Sequence, residues 1–356
     1  MPREATDIEE GTQVYRPGGF HPVYIGDVFK DRDKVLNKIG YGVYSTVWLF
    51  RALKVLSADS YEGTNSPIFE REILTHLRDG DRDQIGYDYV CHLLDDFEHR
   101  GPNGTHVCLV FELMGETLRS FGAWFAESRL PNSVMRRFTI QLLLVLDFAH
   151  EHNVIHTDIK PDNIFVKIRD HSLIESGYLT DVAIPQQDRS EEQYSVVPST
   201  PLRRYYFNDA DTRCPPFTGS SDPGTVGREH RFLEPGGRRA EIFQAVRMFS
   251  GSVPPDGHYE LKENLAEIVD LFGPFPNELL AKGDQNLVRD VFGDDGRIKD
   301  APPMNRPGLA SEAFMPGIDQ ELRDRFASFL HAMMKINPAD RVSAEDLLRH
   351  PWLDAL

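Results

Sequence analysis

The sequence predicts an α+β fold in two lobes, a β-rich first part and a mainly helical second part. Two observations carry that expectation. Residues 35–113 are rich in β-branched and aromatic side chains punctuated by glycine, the composition of short strands and tight turns. Beyond Gly115 the apolar residues recur every three or four positions, the period of a helix. With 356 residues, 40% of them hydrophobic, the chain can bury a sizeable core. The expected divisions are a disordered N-terminus at 1–13, an N-terminal lobe at 14–114 and a C-terminal lobe at 115–356.

Residues 1–13 are polar and poor in aromatics, hence the expectation of disorder. An irregular leading segment with aromatics, glycines and prolines follows to residue 33. Residues 35–50 read as two strands around Gly40 and Gly42, and residues 51–56 as a third strand carrying Lys54. From Ser66 the pattern turns helical, with Phe69, Ile73 and Leu77 on one stripe and Glu72 beside it. Residues 90–97 and 107–113 read as two strands around the turn Gly101-Pro102-Asn103-Gly104. In the second part, residues 133–151 carry Phe138, Leu142, Val145, Leu146 and Ala149 on one helical face. Leu322, Phe326, Phe329, Leu330 and Met333 form another stripe, and Ser343 with Asp346 makes a capping box for a last helix.

Charge and cysteine content narrow the function classes. Lys plus Arg total 39 against 56 Asp plus Glu, a formal charge of −17, which argues against direct nucleic-acid binding and suits a basic protein substrate. Three cysteines without CxxC spacing suggest neither a disulfide framework nor a zinc site. No apolar run approaches a membrane span and the N-terminal residues have no apolar core, so no membrane association is expected, and a cytoplasmic and nuclear location is.

The chemistry concentrates at residues 154–166, where apolar residues flank His156, Asp158, Lys160 and Asn163 in a loop expected between two buried strands. The spacing H-x-D-x-K-x-x-N supplies a carboxylate for a hydroxyl proton, an ammonium for a γ-phosphate and an amide oxygen for a metal ion. That is the set needed when catalysis is mostly positioning and charge neutralisation. Upstream, Gly40-Tyr41-Gly42 lies between two strands and can fold its backbone N–H groups over phosphates. Lys54, on an apolar strand, requires a partner if buried, and Glu72 on the following helix is the natural one. Glu112 and Leu113, ending a strand, can offer backbone hydrogen bonds to an adenine, with Phe111 at the back of the pocket. Asp181 follows Asp158 by 23 residues, after a turn at Gly177 and a short strand, and is placed to bind a metal.

The motifs Gly18-Gly19-Phe20-His21-Pro22-Val23, Ser45-Thr46-Val47-Trp48-Leu49, Leu93-Leu94-Asp95-Asp96-Phe97 and His156-Thr157-Asp158 together resemble the serine/arginine-rich protein-specific kinases, in a fungal form. The resemblance is dense from about residue 15 to 181 and returns from about 257 to 352, including Asn337-Pro338-Ala339-Asp340-Arg341. It implies a two-lobed protein-kinase-like fold over 35–353 and a monomer that uses ATP and Mg²⁺ to phosphorylate serines of Arg-Ser-rich proteins such as splicing factors. By position, Asp158 is the catalytic base and Lys160 the γ-phosphate contact. Asn163 and Asp181 are the metal ligands, and Ile39, Gly40, Gly42, Val47, Lys54, Glu72, Glu112 and Leu113 form the ATP-binding set.

Three departures keep a second class open, an ATP-binding but catalytically impaired pseudokinase that serves as a scaffold. Residues 47–55 contain no Gly, Pro, Asn or Asp at which two strands would readily reverse, so the connection between them is shortened. Val182-Ala183 stands where Phe-Gly is expected after the metal ligand. Residues 189–239 show neither Ala-Pro-Glu nor the family's central buried helix, only a polar run rich in proline and glycine, which leaves Arg341 without its expected glutamate partner.

Overall fold

The computed structural model describes residues 9–62, 69–125, 130–168, 170–190, 194–202, 252–253, 258–301 and 307–353. It divides into two compact units, Met1–Phe121 with Glu151–Pro216 and Gly122–His150 with Phe217–Leu356.

The first unit is built on an antiparallel sheet. A small ribbon pairs β1 (Val28–Phe29) with β2 (Asp33–Lys34). The main sheet holds β3 (Asn37–Gly42), β4 (Ser45–Leu49), β5 (Ala52–Leu56), β6 (Leu93–Gly101) and β7 (Gly104–Phe111) in the order β3-β4-β5-β7-β6. Alternation along the strands sorts the core. Trp48, Leu53, Val55, Cys108 and Val110 pack with Val23, Phe29 and Val35 in one cluster. Leu56, Val107 and Leu109 pack in another, with Leu74 of helix Glu70–Arg78 against them. The glycine hairpins form as the sequence predicts, with Gly42 opposite Ser45 and Gly101 opposite Gly104, the latter at φ 132°.

Several expectations are corrected. The connection at Phe50 is as short as expected, but the strands do reverse without a turn-forming residue: Leu49 pairs with Ala52, so Phe50 and Arg51 alone form the turn. Neither has a positive φ, and ordinary residues therefore suffice where Gly or Asn was expected. Residues 9–13, expected to be disordered, are held in place, with Glu9 and Glu10 on the ammonium of Lys38 and a 3-10 turn starting at Thr12. Lys38 is completely buried, and a buried ammonium requires such partners. On helix Glu70–Arg78 the expected stripe is mostly solvated, since Phe69 and Ile73 are exposed and only Leu77 is buried. The short strand expected before Asp181 is instead helical, a π-turn Ile174–Tyr178 running into Leu179–Asp181. Ile174, Tyr178 and Val182 recur every four residues, so a helix puts all three on one face and into one hydrophobic cluster.

The second unit is helical, as the periodicity predicts. Helix Asn132–Glu151, all but its last residue, contributes Leu143 to a cluster with Phe329 of helix Gln320–Met333 and with Leu347, Trp352 and Leu353. Helices Leu261–Phe272 and Gln285–Val291 build a second cluster through Ala266, Val269 and Val291. Side chains cap the helices that start at Gln285, Gln320 and Ala344. Asp284 accepts from the Asn286 and Leu287 amides, Asp319 from Leu322 and Ser343 from Asp346. Arg341 donates through Nε to the Lys335 carbonyl at 2.8 Å. The polar run at 203–239 lies outside the described residues, and among the described residues no helix is long and apolar enough to cross a membrane.

Candidate active site

The loop that carries the chemistry is fixed at its downstream end. Strand β8 (Met114–Thr117), which follows Leu113, pairs with β9 (Phe165–Lys167), and the Leu118 amide donates to the Ile164 carbonyl at 2.7 Å. Pro161 opens a 3-10 turn through Asn163, a position where its missing N–H costs nothing. Arg119 grips this turn from outside, with Nε and a terminal nitrogen on the two Asp162 carboxylate oxygens at 2.6 and 2.7 Å, the bidentate geometry guanidinium favours. Upstream, the expected buried strand is absent. Residues 154–160 are irregular and Ile155 and Ile159 are exposed.

Within that frame three expected residues meet. Asp158 Oδ2 accepts from Lys160 Nζ at 2.8 Å and from Asn163 Nδ2 at 2.8 Å, and Asn163 also donates to the Asp158 carbonyl at 2.9 Å. The hydrogen bond from Lys160, then that from Asn163, holds the Asp158 carboxyl below its usual range, so it stays ionised. Because Asn163 uses its amide nitrogen on Asp158, its carbonyl oxygen is the atom left for a hard cation. Thr157, between His156 and Asp158, takes φ 60°, a strained value for a β-branched residue that costs about 1–2 kcal/mol.

Of the groups expected to face phosphates, Lys54 finds a carboxylate partner, with one substitution. Gly40 and Gly42 lie on β3 at the hairpin, and nothing stands within 4 Å of where a Gly40 Cβ would project, which leaves room for a ligand. Lys54 pairs with Glu70 at 2.6 Å, not with Glu72 as expected. The helix begins at Glu70, so Glu70 presents its carboxylate to β5, while Glu72, two residues or about 200° further round, is exposed. Glu112, at the strand end, is paired by its carboxylate with Lys167 at 3.2 Å. Asp181 is exposed at the end of its helix, and among the described residues no hydrogen bond or ion pair joins it to Asp158 or Asn163.

The adenine end is different in kind. Ile39 and Leu113 lie in one hydrophobic cluster with Ala52, Ile174, Tyr178, Leu179 and Val182. Val47 lies on β4 opposite Lys54. The sequence did not signal Tyr178, Arg119 or Glu70 as part of the site. Glu70 could have been found from the Glu-x-Glu spacing it shares with Glu72, but Tyr178 and Arg119 reach the site only through tertiary packing. Burial pushes the thiols of Cys91 and Cys108 up to about 12, so neither is a nucleophile.

A β-sheet followed by a loop presenting Asp, Lys and Asn in this geometry matches the protein kinase domain, whose family profile covers residues 34–201. Residues 34–201 are thus a protein kinase domain by similarity. Similar proteins include protein kinase dsk1 of Schizosaccharomyces pombe, 43% identical over 46% of this chain and 32% of that protein. SRSF protein kinase 3 of Homo sapiens is 39% identical over 46% of this chain and 30% of its own length. A serine/threonine protein kinase of Aspergillus fumigatus is 29% identical over 98% of this chain and 91% of its length. The chain thus spans about a third of dsk1 and of SRSF protein kinase 3. The crystal structure of the PF14_0431 kinase domain superposes with a TM-score of 0.57 at 18% identity, over 94% of this chain and 98% of the other, which establishes the fold. A domain of this family takes ATP and a divalent metal.

Proposed function

We propose that this chain is a protein serine/threonine kinase that transfers the ATP γ-phosphate to serines of Arg-Ser-rich proteins such as splicing factors. The observation that carries it is the Asp158 carboxylate held between Lys160 and Asn163, both at 2.8 Å. Ionised Asp158 accepts the serine hydroxyl proton as the oxygen attacks phosphorus, and Lys160 lies beside it to meet the charge of the transferred group. Lys54, steadied by Glu70, holds the α- and β-phosphates, and the backbone at Gly40 and Gly42 covers them. Asn163 and Asp181 would hold Mg²⁺, which supplies charge neutralisation at the phosphates when bound. The Arg-Ser preference is supported by the likeness to SRSF protein kinase 3 and by a net charge of −17. Attraction of that kind is screened over about 8 Å at physiological salt. Binding of an Arg-Ser repeat peptide, followed by fluorescence anisotropy, should therefore weaken steeply as salt rises. Equal affinity for an acidic peptide would refute the preference.

A second reading, a nucleotide-binding scaffold of low activity, is favoured by one observation, the packing of residues 174–182 against the adenine end.

A further inference from the structure

The residues after the catalytic loop return to the sheet and occupy the place a nucleotide base needs. Tyr178 is 1% exposed and Ile174 is 5% exposed, both in the cluster that contains Ile39, Ala52 and Leu113. The Tyr178 hydroxyl accepts from Asn37 Nδ2 at 3.1 Å and donates to the Thr200 carbonyl at 2.7 Å, so the ring is held from two sides. What remains open beside Glu112 and Leu113 is a cavity of about 330 Å³ walled on one side by Ile174 and Leu179. Its lining includes none of Gly40, Lys54, Asp158 or Asn163, so it is separate from the phosphate-handling residues.

A second contact fastens this cover. β3 is the end strand of its sheet, and the Thr200 amide donates to its Lys38 carbonyl at 2.9 Å. Lys38 Nζ donates to the Val197 carbonyl at 3.1 Å and to Glu9 at 2.9 Å. Glu9 in turn accepts from the Ser199 amide at 2.7 Å and from its hydroxyl at 2.9 Å. Leu202, 3% exposed, completes the cluster around Tyr178. The buried Lys38 is thus shared between the strand expected to carry the glycine loop and the segment at 197–200.

We infer that residues 174–182, clasped through 197–202 to the edge of β3, are an intramolecular cover of the adenine site that nucleotide must displace. This rests on the proposed ATP-dependent function. A site open only a fraction of the time binds with its intrinsic dissociation constant divided by that fraction, so loosening the cover tightens nucleotide binding. A residue with a merely structural role would do the opposite.

The test is titration of the full chain with Mg²⁺ and a non-hydrolysable ATP analogue by calorimetry, with amide hydrogen exchange of the same samples. Tyr178→Ala should tighten binding at least about tenfold, and Tyr178→Phe, which loses only the hydroxyl bonds, about threefold to tenfold. Thr200→Pro, which removes the amide donor to Lys38, should act in the same direction. Adding nucleotide to the native chain should speed exchange at the Val182 and Thr200 amides, which are bonded to Tyr178 and Lys38 in the covered state. If Tyr178→Ala does not fold, the other two variants decide. Equal affinities in the native chain and the variants, with exchange unchanged, would overturn the cover and leave nucleotide binding standing. No binding by native chain or by folded variants would overturn the ATP reading, and the cover with it.

Discussion

The two ends of the candidate site are built on different principles. At the catalytic end, Asp158, Lys160 and Asn163 lie within six residues of one another and meet by local geometry alone, with the side chains exposed to solvent. At the adenine end, Ile39, Ala52 and Leu113 come from separate strands and strand ends, and the chain's own Tyr178 packs in one cluster with them. The first end is assembled and waiting. The second is assembled and covered. Catalytic groups and nucleotide access are thus governed by different parts of the fold, and substitutions in one should leave the other measurable.

The largest expected effect breaks the catalytic end alone. Asp158→Ala should lower phosphate transfer by about 10²–10⁴-fold, the range for loss of a positioned general base, while nucleotide affinity by calorimetry is unchanged. A matching loss of nucleotide binding would mean that the two ends are one structure.

Acid should separate the sheet from the loop. His21 is buried against His99 and His106, with ring centroids 4.5 and 5.0 Å away and Phe29 on another side. Burial, with the charges of His99 and then His106, lowers its pKa to about 3. The unfolded chain takes up a proton near 6.5, and the folded chain does not, so stability is full above that pH and falls as pH drops toward 3. At about 1.4 kcal/mol per pH unit, His21 accounts for up to about 2 kcal/mol between pH 6.5 and 5. Urea midpoints at pH 7.5 and 5.0 should show this loss in the native chain and a smaller one in His21→Gln. Asp158, held below the usual carboxylate range by Lys160 and then Asn163, remains ionised throughout that window. An equal acid loss in both proteins would show that His21 is not the sensor.

The smallest effect concerns the pair that joins the two ends. Glu70→Gln should weaken nucleotide binding several-fold, since the Lys54 and Glu70 side chains, 27% and 30% exposed, make an ion pair worth about 1 kcal/mol. Glu72→Gln, at an exposed position, should stay within about 0.5 kcal/mol of the native value. The reverse ranking in the same calorimetric titration would restore Glu72 as the partner.

What was legible in the sequence follows the same division. The strands, the glycine hairpins, the long helices and the H-x-D-x-K-x-x-N loop are set by neighbours within a few residues, and period and spacing reveal them. Tyr178 reaches Asn37 across 141 residues and Arg119 reaches Asp162 across 43, distances over which spacing carries no signal. Residues 9–13 read as disordered because their composition is polar, yet their carboxylates are the counter-charge a buried Lys38 requires. The strand expected before Asp181 failed because the four-residue recurrence of Ile174, Tyr178 and Val182 fits a helix better than an alternating strand. The short connection at Phe50 and Arg51 was legible, but that it could reverse without Gly, Pro, Asn or Asp was not, because turn-forming residues are a preference, not a requirement.

The decisive measurement is the initial rate of radiolabelled phosphate transfer from ATP to an Arg-Ser repeat peptide, at ATP below its KM. The native chain is compared with Thr200→Pro and with Thr200→Pro carrying Asp158→Ala. A catalytic end already assembled and an adenine end covered by residues 174–182 predict that Thr200→Pro is faster than native and that adding Asp158→Ala abolishes the gain. Transfer no faster in Thr200→Pro, or indifferent to Asp158, would contradict that division.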